Sequence, residues 1–216
     1  MSMDKQAVAT GLFAAGVIRF GAFRLKLHES VPDAPLSPFY IDLRLVRSYP
    51  DLMDRVTDLM IGLMRGLKFD LIADVPTAGT PFAAIIAHKL RMPMITPRLE
   101  HKQHGSRARV DGAYTAGQTA IVLDDLVTHS ESKLEAVQIL VDQGLVVTDV
   151  VVLVDREQGG VQALKAAGLD CHAAFRLSEL LEIYKEQRLI TPEQFEAISD
   201  YLVPRTVANG PTSGLP

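Results

Sequence analysis

The chain has 216 residues, of which 48% are hydrophobic and 22% are charged, and its formal net charge is −4. This composition is typical of a globular protein with one substantial core, and the acidic balance argues against general binding to a nucleic-acid backbone. The single cysteine, Cys171, excludes an intramolecular disulfide and a CxxC-type metal site. We expect a reducing, cytoplasmic setting, because residues 1–6 lack the basic-then-apolar build of a secretory signal and no apolar run approaches the roughly 20 residues that span a bilayer.

The first 45 residues are predicted to form an N-terminal extension and a small hood, because short strand-like pieces between Val17 and Leu43 are separated by glycine and prolines. A long amphipathic helix is predicted to begin at Pro50, since proline is favoured in the first turn of a helix and apolar residues follow at helical spacing. This helix belongs to a core predicted over residues 46–203. Residues 204–216 are rich in Gly, Pro, Ser and Thr and are predicted to form a flexible tail.

From Asp70 onward, short β-branched runs alternate with amphipathic stretches, which predicts an α/β fold with a parallel sheet. Strands are predicted at Asp70–Asp74, Met94–Thr96, Thr119–Leu123 and Val146–Val154, and helices at Phe82–Leu90 and Leu134–Val141. The last two strands are nearly all apolar, as expected for strands that are covered on both faces. The polar, basic stretch from Arg98 to Asp111 has little periodicity and is predicted to be a mobile loop.

Two adjacent acids, Asp124 and Asp125, follow the predicted strand. In open α/β sheets, ligands bind beyond the carboxyl ends of the strands. The paired carboxylates could accept hydrogen bonds from the vicinal hydroxyls of a ribose, or they could hold the water shell of Mg²⁺. The turn that follows offers the hydroxyls of Thr128, Ser130 and Ser132, together with free N–H groups at the start of the next helix. This combination suits a phosphate monoester.

The same residues also fit an ordinary turn, because Asp and Ser are common in turns. Asp124 and Asp125 could be solvated loop residues. Ser130 or Ser132 could cap the following helix, with Glu131 favourable at its positive end. Spacing alone does not separate this interpretation from a ribose phosphate site.

Several segments resemble orotate phosphoribosyltransferase, a type I phosphoribosyltransferase. Ile121–Thr128 resembles the family's signature for phosphoribosyl pyrophosphate (PRPP), in which an apolar strand ends in two acids and leads into a phosphate-binding loop. Flanking segments are similar to the orotate enzymes: Ser37–Arg44, Val75–Pro81, Pro97–Gly105 and Val154–Gly160. The resemblance runs from Gly16 to Ile183. It implies a type I phosphoribosyltransferase-like parallel sheet flanked by helices, with a small N-terminal hood.

The resemblance implies a reaction as well as a fold. The expected activity is transfer of ribose 5-phosphate from PRPP to orotate, which gives orotidine 5-phosphate and pyrophosphate in pyrimidine nucleotide biosynthesis. Mg²⁺ is the implied cofactor, and a homodimer with a shared active site is the implied assembly. No side-chain nucleophile is needed, because catalysis would depend on stabilising the departing pyrophosphate and excluding water.

The family's functional residues map onto individual positions of this chain. The implied PRPP-binding residues are Asp124, Asp125, Thr128, His129, Ser130, Glu131 and Ser132. The implied catalytic residues, on a loop that reaches a neighbouring subunit's site, are Arg98, Lys102 and His104. The implied base-binding residues are Lys26, Phe39, Tyr40 and Arg156. Arg156 would grip the orotate carboxylate through two parallel hydrogen bonds.

Three of these positions have ordinary alternatives. Arg156 could form a surface ion pair with Asp155 or Glu157. Lys26 could be a solvated lysine at a strand end, since lysine is seldom buried. His104 could be a plain loop histidine.

Three features depart from the family pattern. His129, Ser130 and Glu131 occupy a loop that is usually rich in glycine, and serine lacks the backbone freedom of glycine. A carboxylate ~6 Å from one phosphate charge costs about 0.7 kcal/mol in water and about 3 kcal/mol at an effective dielectric constant of about 20. Leu99 stands where a lysine is usual, and Ser30–Leu36 lengthens the hood turn. These departures leave two alternatives open: a non-catalytic PRPP- or nucleotide-binding regulatory protein on the same fold, or a phosphoribosyltransferase for a different base.

Overall fold

A computed structural model describes residues 3–24, 27–99 and 109–202 of the protein. Over these residues the strands are β1 (Ile18–Phe23), β2 (Ser37–Ile41), β3 (Leu71–Asp74), β4 (Met94–Pro97), β5 (Val110–Asp111), β6 (Thr119–Val127), β7 (Val146–Asp155) and β8 (Asp170–Arg176). The helices are α1 (Met3–Ala14), α2 (Leu27–Ser30), α3 (Pro50–Leu63), α4 (Thr80–Leu90), α5 (Glu131–Asp142), α6 (Gly160–Ala166), α7 (Leu177–Glu186) and α8 (Pro192–Leu202). A 3-10 helix, Leu43–Ser48, precedes α3.

The central sheet has the strand order β5-β4-β3-β6-β7-β8. Neighbouring strands are parallel, except that β4 pairs with β5 in the antiparallel direction. The second half of β7 lies between parallel neighbours and is wholly buried, because helices cover both of its faces. The predicted α/β fold with a parallel sheet is therefore confirmed.

Two hydrophobic clusters lie on the two faces of the sheet. Successive side chains of β7 alternate between them, with Val151 and Leu153 in one cluster and Val150 and Val152 in the other. The first cluster contains buried residues of α1, α3, α4 and α7, and the second contains buried residues of α5 and α6. The sheet is consequently sandwiched between two helical layers.

An antiparallel hairpin of β1 and β2 forms the hood. Ile18 pairs with Ile41, and Phe20 pairs with Phe39. This hairpin matches the strand-like pieces predicted between Val17 and Leu43. Burial alternates along β2, so that Phe39 faces the core and its neighbours in sequence are half-buried.

The end of β6 differs from the prediction. The strand continues to Val127 rather than stopping at Leu123, because Asp124 and Leu126 keep their ladder positions beside β7. Pairing with a buried neighbour outweighs the low strand propensity of aspartate. The two acids therefore lie inside a strand and not in the turn after it.

The stretch predicted as a mobile loop, Arg98–Asp111, is paired at its base. The N–H of Arg98 donates a hydrogen bond to the carbonyl oxygen of Arg109 at 2.8 Å, and β5 follows directly. The base of this segment is therefore a short antiparallel ladder, which corrects the prediction there. Residues 100–108 lie outside the described part of the chain.

The helices are short on the scale of a bilayer. α3 has 14 residues, which falls below the length of about 20 residues that a spanning helix needs. Across the ranges that the structure describes, no helix is both long and apolar enough to cross a membrane.

Candidate active site

The acidic residues of the candidate site lie at the ends of two neighbouring strands, which the chain leaves in opposite directions. β3 and β6 are adjacent and parallel, but the chain continues from β3 to β4 on one side and from β6 to β7 on the other. Such a reversal opens a crevice beyond the carboxyl ends of the strands. Asp74 ends β3, and Asp124 and Asp125 lie in the second half of β6. The topology brings these acids to the usual ligand position of an open α/β sheet.

Asp124 and Asp125 are buried, with 4% and 8% of their surface exposed. Oδ1 of Asp124 accepts a hydrogen bond from the N–H of Asp125 at 2.8 Å, and Oδ1 of Asp125 accepts one from the N–H of Leu126 at 2.7 Å. Burial, reinforced by the charge of Asp124, raises the pKa of Asp125 to about 7. The interpretation of these acids as solvated loop residues is therefore wrong.

A buried lysine neutralises the first acid. Nζ of Lys133 lies 2.6 Å from Oδ2 of Asp124, and the two side chains are only 5% and 6% exposed. Lys133 belongs to the first turn of α5, so this ion pair joins the start of the helix to the end of β6. Lys133 is not among the site residues predicted from the sequence. The available signal was its spacing, because Lys133 lies one turn before Ala136 and Val137 on the buried face of α5.

The loop between β6 and α5 contains one buried residue, Ser130. His129, Glu131 and Ser132 are exposed, and Thr128 is half-buried. Ser130 has a φ of +72°, a left-handed conformation that costs a non-glycine residue about 1–2 kcal/mol. The loop thus adopts the backbone shape that glycine would allow more easily, although sequence analysis expected serine to lack this freedom.

The hydroxyl of Ser130 is bonded to a second loop. Its Oγ donates to the carbonyl oxygen of Gly160 at 2.8 Å, and it makes no side-chain capping bond to α5. The alternative interpretation of Ser130 as a helix cap is therefore wrong. The bond also means that the hydroxyl already has an acceptor, so Ser130 contributes to the loop mainly through its backbone.

Two glycines allow the loops to approach the end of β6 closely. A Cβ on Gly160 would lie 2.3 Å from the carbonyl oxygen of Thr128. A Cβ on Gly79 would lie 2.8 Å from the carbonyl oxygen of Leu123 and 3.0 Å from Oδ1 of Asp124. Side chains at these positions would collide with backbone, which is why glycine is required. The turns that contain Gly79 and Gly160 therefore pack directly against the end of β6.

The turn between β3 and α4 is closed by a side-chain hydrogen bond that was not predicted from the sequence. The hydroxyl of Thr80 donates to Oδ2 of Asp74, which is fully buried. Oδ1 of Asp74 has no hydrogen-bond partner among the described residues. This bond spans the turn that contains Gly79 and fixes its two ends.

Arg156 follows β7 and is anchored beside the end of β6, because its N–H donates to the carbonyl oxygen of Val127 at 3.0 Å. The residue is 7% exposed, and its Cζ lies 4.9 Å from the ring centroid of Phe39. Nε and Nη2 are buried and have no hydrogen-bond partner among the described residues. Burial lowers the pKa of this guanidinium. A surface ion pair with Asp155 or Glu157 does not describe Arg156, because the side chain is buried and bonded to neither acid.

Phe39 and Tyr40, both predicted to line the base, have different positions. Phe39 is completely buried, because the alternation along β2 turns it inward beneath Arg156. In this structure it supports the guanidinium instead of lining open space. Tyr40 is half-buried, and its hydroxyl contributes to the electrostatic environment of Arg156. Of these two predicted residues, Tyr40 is therefore the more accessible.

Two arginines of the hood flank Tyr40. Cζ of Arg19 lies 5.3 Å from the ring centroid, and Nη2 of Arg44 donates to the hydroxyl at 3.2 Å. Arg44 also donates to both carboxylate oxygens of Asp42, at 2.6 and 3.0 Å. The Asp42 carboxylate raises the pKa of Arg44, with a smaller contribution from Asp125. Arg44 was predicted only as part of the Ser37–Arg44 segment, whereas in the fold its guanidinium lies within the field of Asp125.

Arg98 is ion-paired at the base of its loop. Its Nε donates to Oδ2 of Asp111 at 2.9 Å, and this partner raises the pKa of the guanidinium. Leu99, which departs from the family pattern, is half-buried and packs against the second hydrophobic cluster. Three further predicted site residues lie outside the described residues: Lys26, Lys102 and His104.

No protein-family model matches the chain. Among curated proteins, the chain is 36% identical over 188 residues to an orotate phosphoribosyltransferase of Pyrobaculum aerophilum, covering 87% of this chain and 93% of that protein. It is 34% identical over 213 residues to the uridine 5'-monophosphate synthase of Bos taurus, covering 97% of this chain and 43% of that protein. The chain thus spans less than half of the bovine protein and nearly all of the archaeal one.

Solved structures with a similar fold belong to the same two kinds of protein. The UMP synthase of Leishmania donovani has a TM-score of 0.81 at 34% identity, with 92% of this chain and 42% of that chain covered. The orotate phosphoribosyltransferase of Aeropyrum pernix has a TM-score of 0.69 at 25% identity, with 81% of this chain and 97% of that chain covered. Similarity in sequence and in fold therefore points to one group of proteins.

Proposed function

Because the chain belongs to the orotate phosphoribosyltransferase family, we propose that it transfers ribose 5-phosphate from PRPP to orotate, forming orotidine 5-phosphate and releasing pyrophosphate. The proposed role is in pyrimidine nucleotide biosynthesis. A reducing cytoplasm is the proposed setting, since it suits a chain whose single cysteine, Cys171, has no disulfide partner.

The observation that carries the choice of base is the buried guanidinium of Arg156. A cation with unpartnered nitrogens inside a protein is costly unless an anion binds it. Orotate has a carboxylate, and a guanidinium can bind a carboxylate through two parallel hydrogen bonds. Nε and Nη2 of Arg156 supply the two donors that this geometry needs. Tyr40 is proposed to contact the same base from the hood.

The acid pair supports binding of the ribose. Oδ1 atoms of Asp124 and Asp125 already accept backbone hydrogen bonds, which fixes both side chains. The remaining acceptor capacity suits vicinal hydroxyls. We propose that the 5-phosphate lies against the loop from Thr128 to Ser132, where the N–H groups at the start of α5 attract an anion.

Mg²⁺ is the proposed cofactor, and the described residues fit an ion that arrives with its substrate. No group of three His, Cys, Asp or Glu side chains comes together as metal ligands in the described ranges. Mg²⁺ typically keeps several waters and binds substrate phosphates with the help of only one or two carboxylates. Its chemistry when bound to the diphosphate is to neutralise the charge that develops on departing pyrophosphate.

The loop cations are proposed to act on that same leaving group. Arg98, Lys102 and His104 would stabilise the negative charge of pyrophosphate, and closure would exclude water. Arg98 would exchange its present partner, Asp111, for the diphosphate. We propose that the loop serves the neighbouring subunit of a homodimer. Mixing inactive Arg98→Ala with inactive Asp125→Asn protein should then restore turnover, and a mixture that stays inactive would argue against a shared site.

The direct test is to incubate the purified protein with PRPP, Mg²⁺ and orotate and to follow the loss of orotate absorbance. Uracil is the matched control substrate, because it lacks the carboxylate that Arg156 is proposed to bind. Turnover with orotate but not with uracil supports the proposal. Measurable PRPP binding without turnover of either base would defeat it and favour a non-catalytic PRPP-binding protein.

A further inference from the structure

Lys133 occupies a position where a lysine is doubly unfavourable. It lies in the first turn of α5, where the helix dipole repels a positive charge. Its side chain is also 5% exposed, although lysine is almost never fully buried unless it is paired. The fold places it directly behind the two acids, with Nζ 2.6 Å from Oδ2 of Asp124. Packing alone would be served better by an apolar side chain at this position on the buried face of the helix.

We propose that Lys133 is a positioning residue for ribose binding, which holds Asp124 in place so that Asp125 presents a free carboxylate oxygen to the ribose hydroxyls. This inference rests on the proposed use of PRPP and goes beyond the residues that the family resemblance assigns. Lys133 itself is not expected to touch the substrate.

The hydrogen bonds of the two acids support this division of roles. Asp124 is held at both oxygens, by Nζ of Lys133 at 2.6 Å and by the N–H of Asp125 at 2.8 Å. Asp125 is held at Oδ1 by the N–H of Leu126 at 2.7 Å. Within the described residues no donor is bonded to Oδ2 of Asp125. Oδ2 therefore has no backbone or cationic partner, and the neighbouring carboxyl of Asp124 is the group that competes with a ligand for Asp125.

Removing the ammonium group would change how the two carboxyls interact. Adjacent buried carboxylates repel each other, and without a nearby cation such a pair shares a proton and forms a hydrogen bond between its members. That bond would occupy an oxygen of Asp125 and turn it away from the ligand. Lys133 opposes this pairing by supplying Asp124 with a separate, positively charged partner, and its charge counteracts the rise in the pKa of Asp125.

The inference is tested with Lys133→Met, which keeps the length of the side chain and removes the charge. Lys133→Gln is made in parallel, so that a variant remains available if methionine prevents folding. Lys133→Arg retains the charge. Lys89→Met is the matched control, because Lys89 is also ion-paired, 2.6 Å from Asp54 and 2.7 Å from Asp58, but lies on α4 facing α3. PRPP affinity is measured by calorimetry, and KM and kcat are measured with orotate.

We expect Lys133→Met and Lys133→Gln to weaken PRPP binding about tenfold or more, the loss expected when a charge-assisted hydrogen bond is disturbed. The KM for PRPP should rise in parallel, while the KM for orotate stays unchanged. Lys133→Arg should recover part of the affinity, and Lys89→Met should bind PRPP like the wild type.

A folded Lys133 variant that binds PRPP as tightly as the wild type would overturn the inference and leave Lys133 a stabilising residue only. Wild-type protein that binds PRPP without converting orotate would defeat the proposed function, yet the affinities of the variants would still decide the role of Lys133. Wild-type protein that fails to bind PRPP would overturn both.

Discussion

The guanidinium of Arg156 lies over the ring of Phe39, with Cζ 4.9 Å from the ring centroid, and both side chains are buried. The aromatic face attracts the cation and holds it in one orientation. It does not satisfy the N–H groups of Nε and Nη2, which have no acceptor in the described part of the chain. The protein thus keeps a rigid cation ready for an anion, at a cost in stability.

Arg156→Met should weaken the use of orotate and stabilise the fold. Loss of a two-bond contact to a carboxylate should raise the KM for orotate about tenfold or more, with the KM for PRPP unchanged. Removing an unpaired buried cation should raise the melting temperature. Steady-state kinetics and thermal denaturation measure the two effects, with the exposed Arg47→Met as control. An unchanged KM for orotate would remove Arg156 from the base site.

Ser130 allows a test of backbone strain against hydrogen bonding. Ser130→Ala keeps the left-handed residue but leaves the Gly160 carbonyl without its donor, which should cost about 1–3 kcal/mol of unfolding free energy. Ser130→Gly loses the same bond but relieves about 1–2 kcal/mol of strain, so its net effect should be near zero. Urea denaturation compares the two variants. Equal destabilisation by both would show that the conformation carries no strain.

The raised pKa of Asp125, about 7, predicts a pH-dependent contribution to stability. Because the folded-state pKa lies above the unfolded value, the fold favours the protonated acid. The stabilising contribution is complete below about pH 4 and is lost as the pH rises through about 7. Asp125→Asn should therefore match the wild type in stability near pH 4 and exceed it near pH 8. The exposed Asp200→Asn is the control, and a constant difference between Asp125→Asn and the wild type across this range would contradict the assignment.

Glu131 is exposed at the start of α5, so its charge should act on a bound phosphate only through solvent. Glu131→Gln should tighten ribose 5-phosphate binding about threefold at low salt, as expected for like charges ~6 Å apart in water. The gain should disappear at about 1 M salt, where the Debye length is about 3 Å. Calorimetry at both salt concentrations measures this, with Glu135→Gln on the next turn as control. A large gain that persists at high salt would mean that the carboxylate lies against the phosphate.

The parts of the fold that depend on apolar patterning were predictable from the sequence. Val150–Val154 of β7 and Ala120–Leu123 of β6 are continuous apolar runs, and burial on two faces requires such runs. The end of β6 was not predictable, because Asp124 belongs to the strand only through its pairing with β7. Helix α1 was not predicted, because its apolar residues do not form one clear stripe along the helix. Its packing depends on contacts with α3 and α7.

The residues of the candidate site were also only partly predictable from the sequence. The acid pair and Arg156 were identified from motifs whose residue types indicate their chemistry. The partners that define their environment are distant in sequence, as Lys133 is from Asp124 and Phe39 is from Arg156. The left-handed backbone of Ser130 could not be predicted either, since its side chain is held by a tertiary bond to the carbonyl oxygen of Gly160, 30 residues away.

The pairing of β3 with β6 has a consequence for folding. Leu71 pairs with Ala120, and the chain between them contains α4, β4 and β5. Such non-local pairing forms slowly, because the intervening loop must close before the strands gain any contacts. The crevice between these strands exists only after that step. A phosphoribosyl ligand should therefore bind only molecules in which β3 and β6 are paired, which makes its binding a kinetic probe of that step.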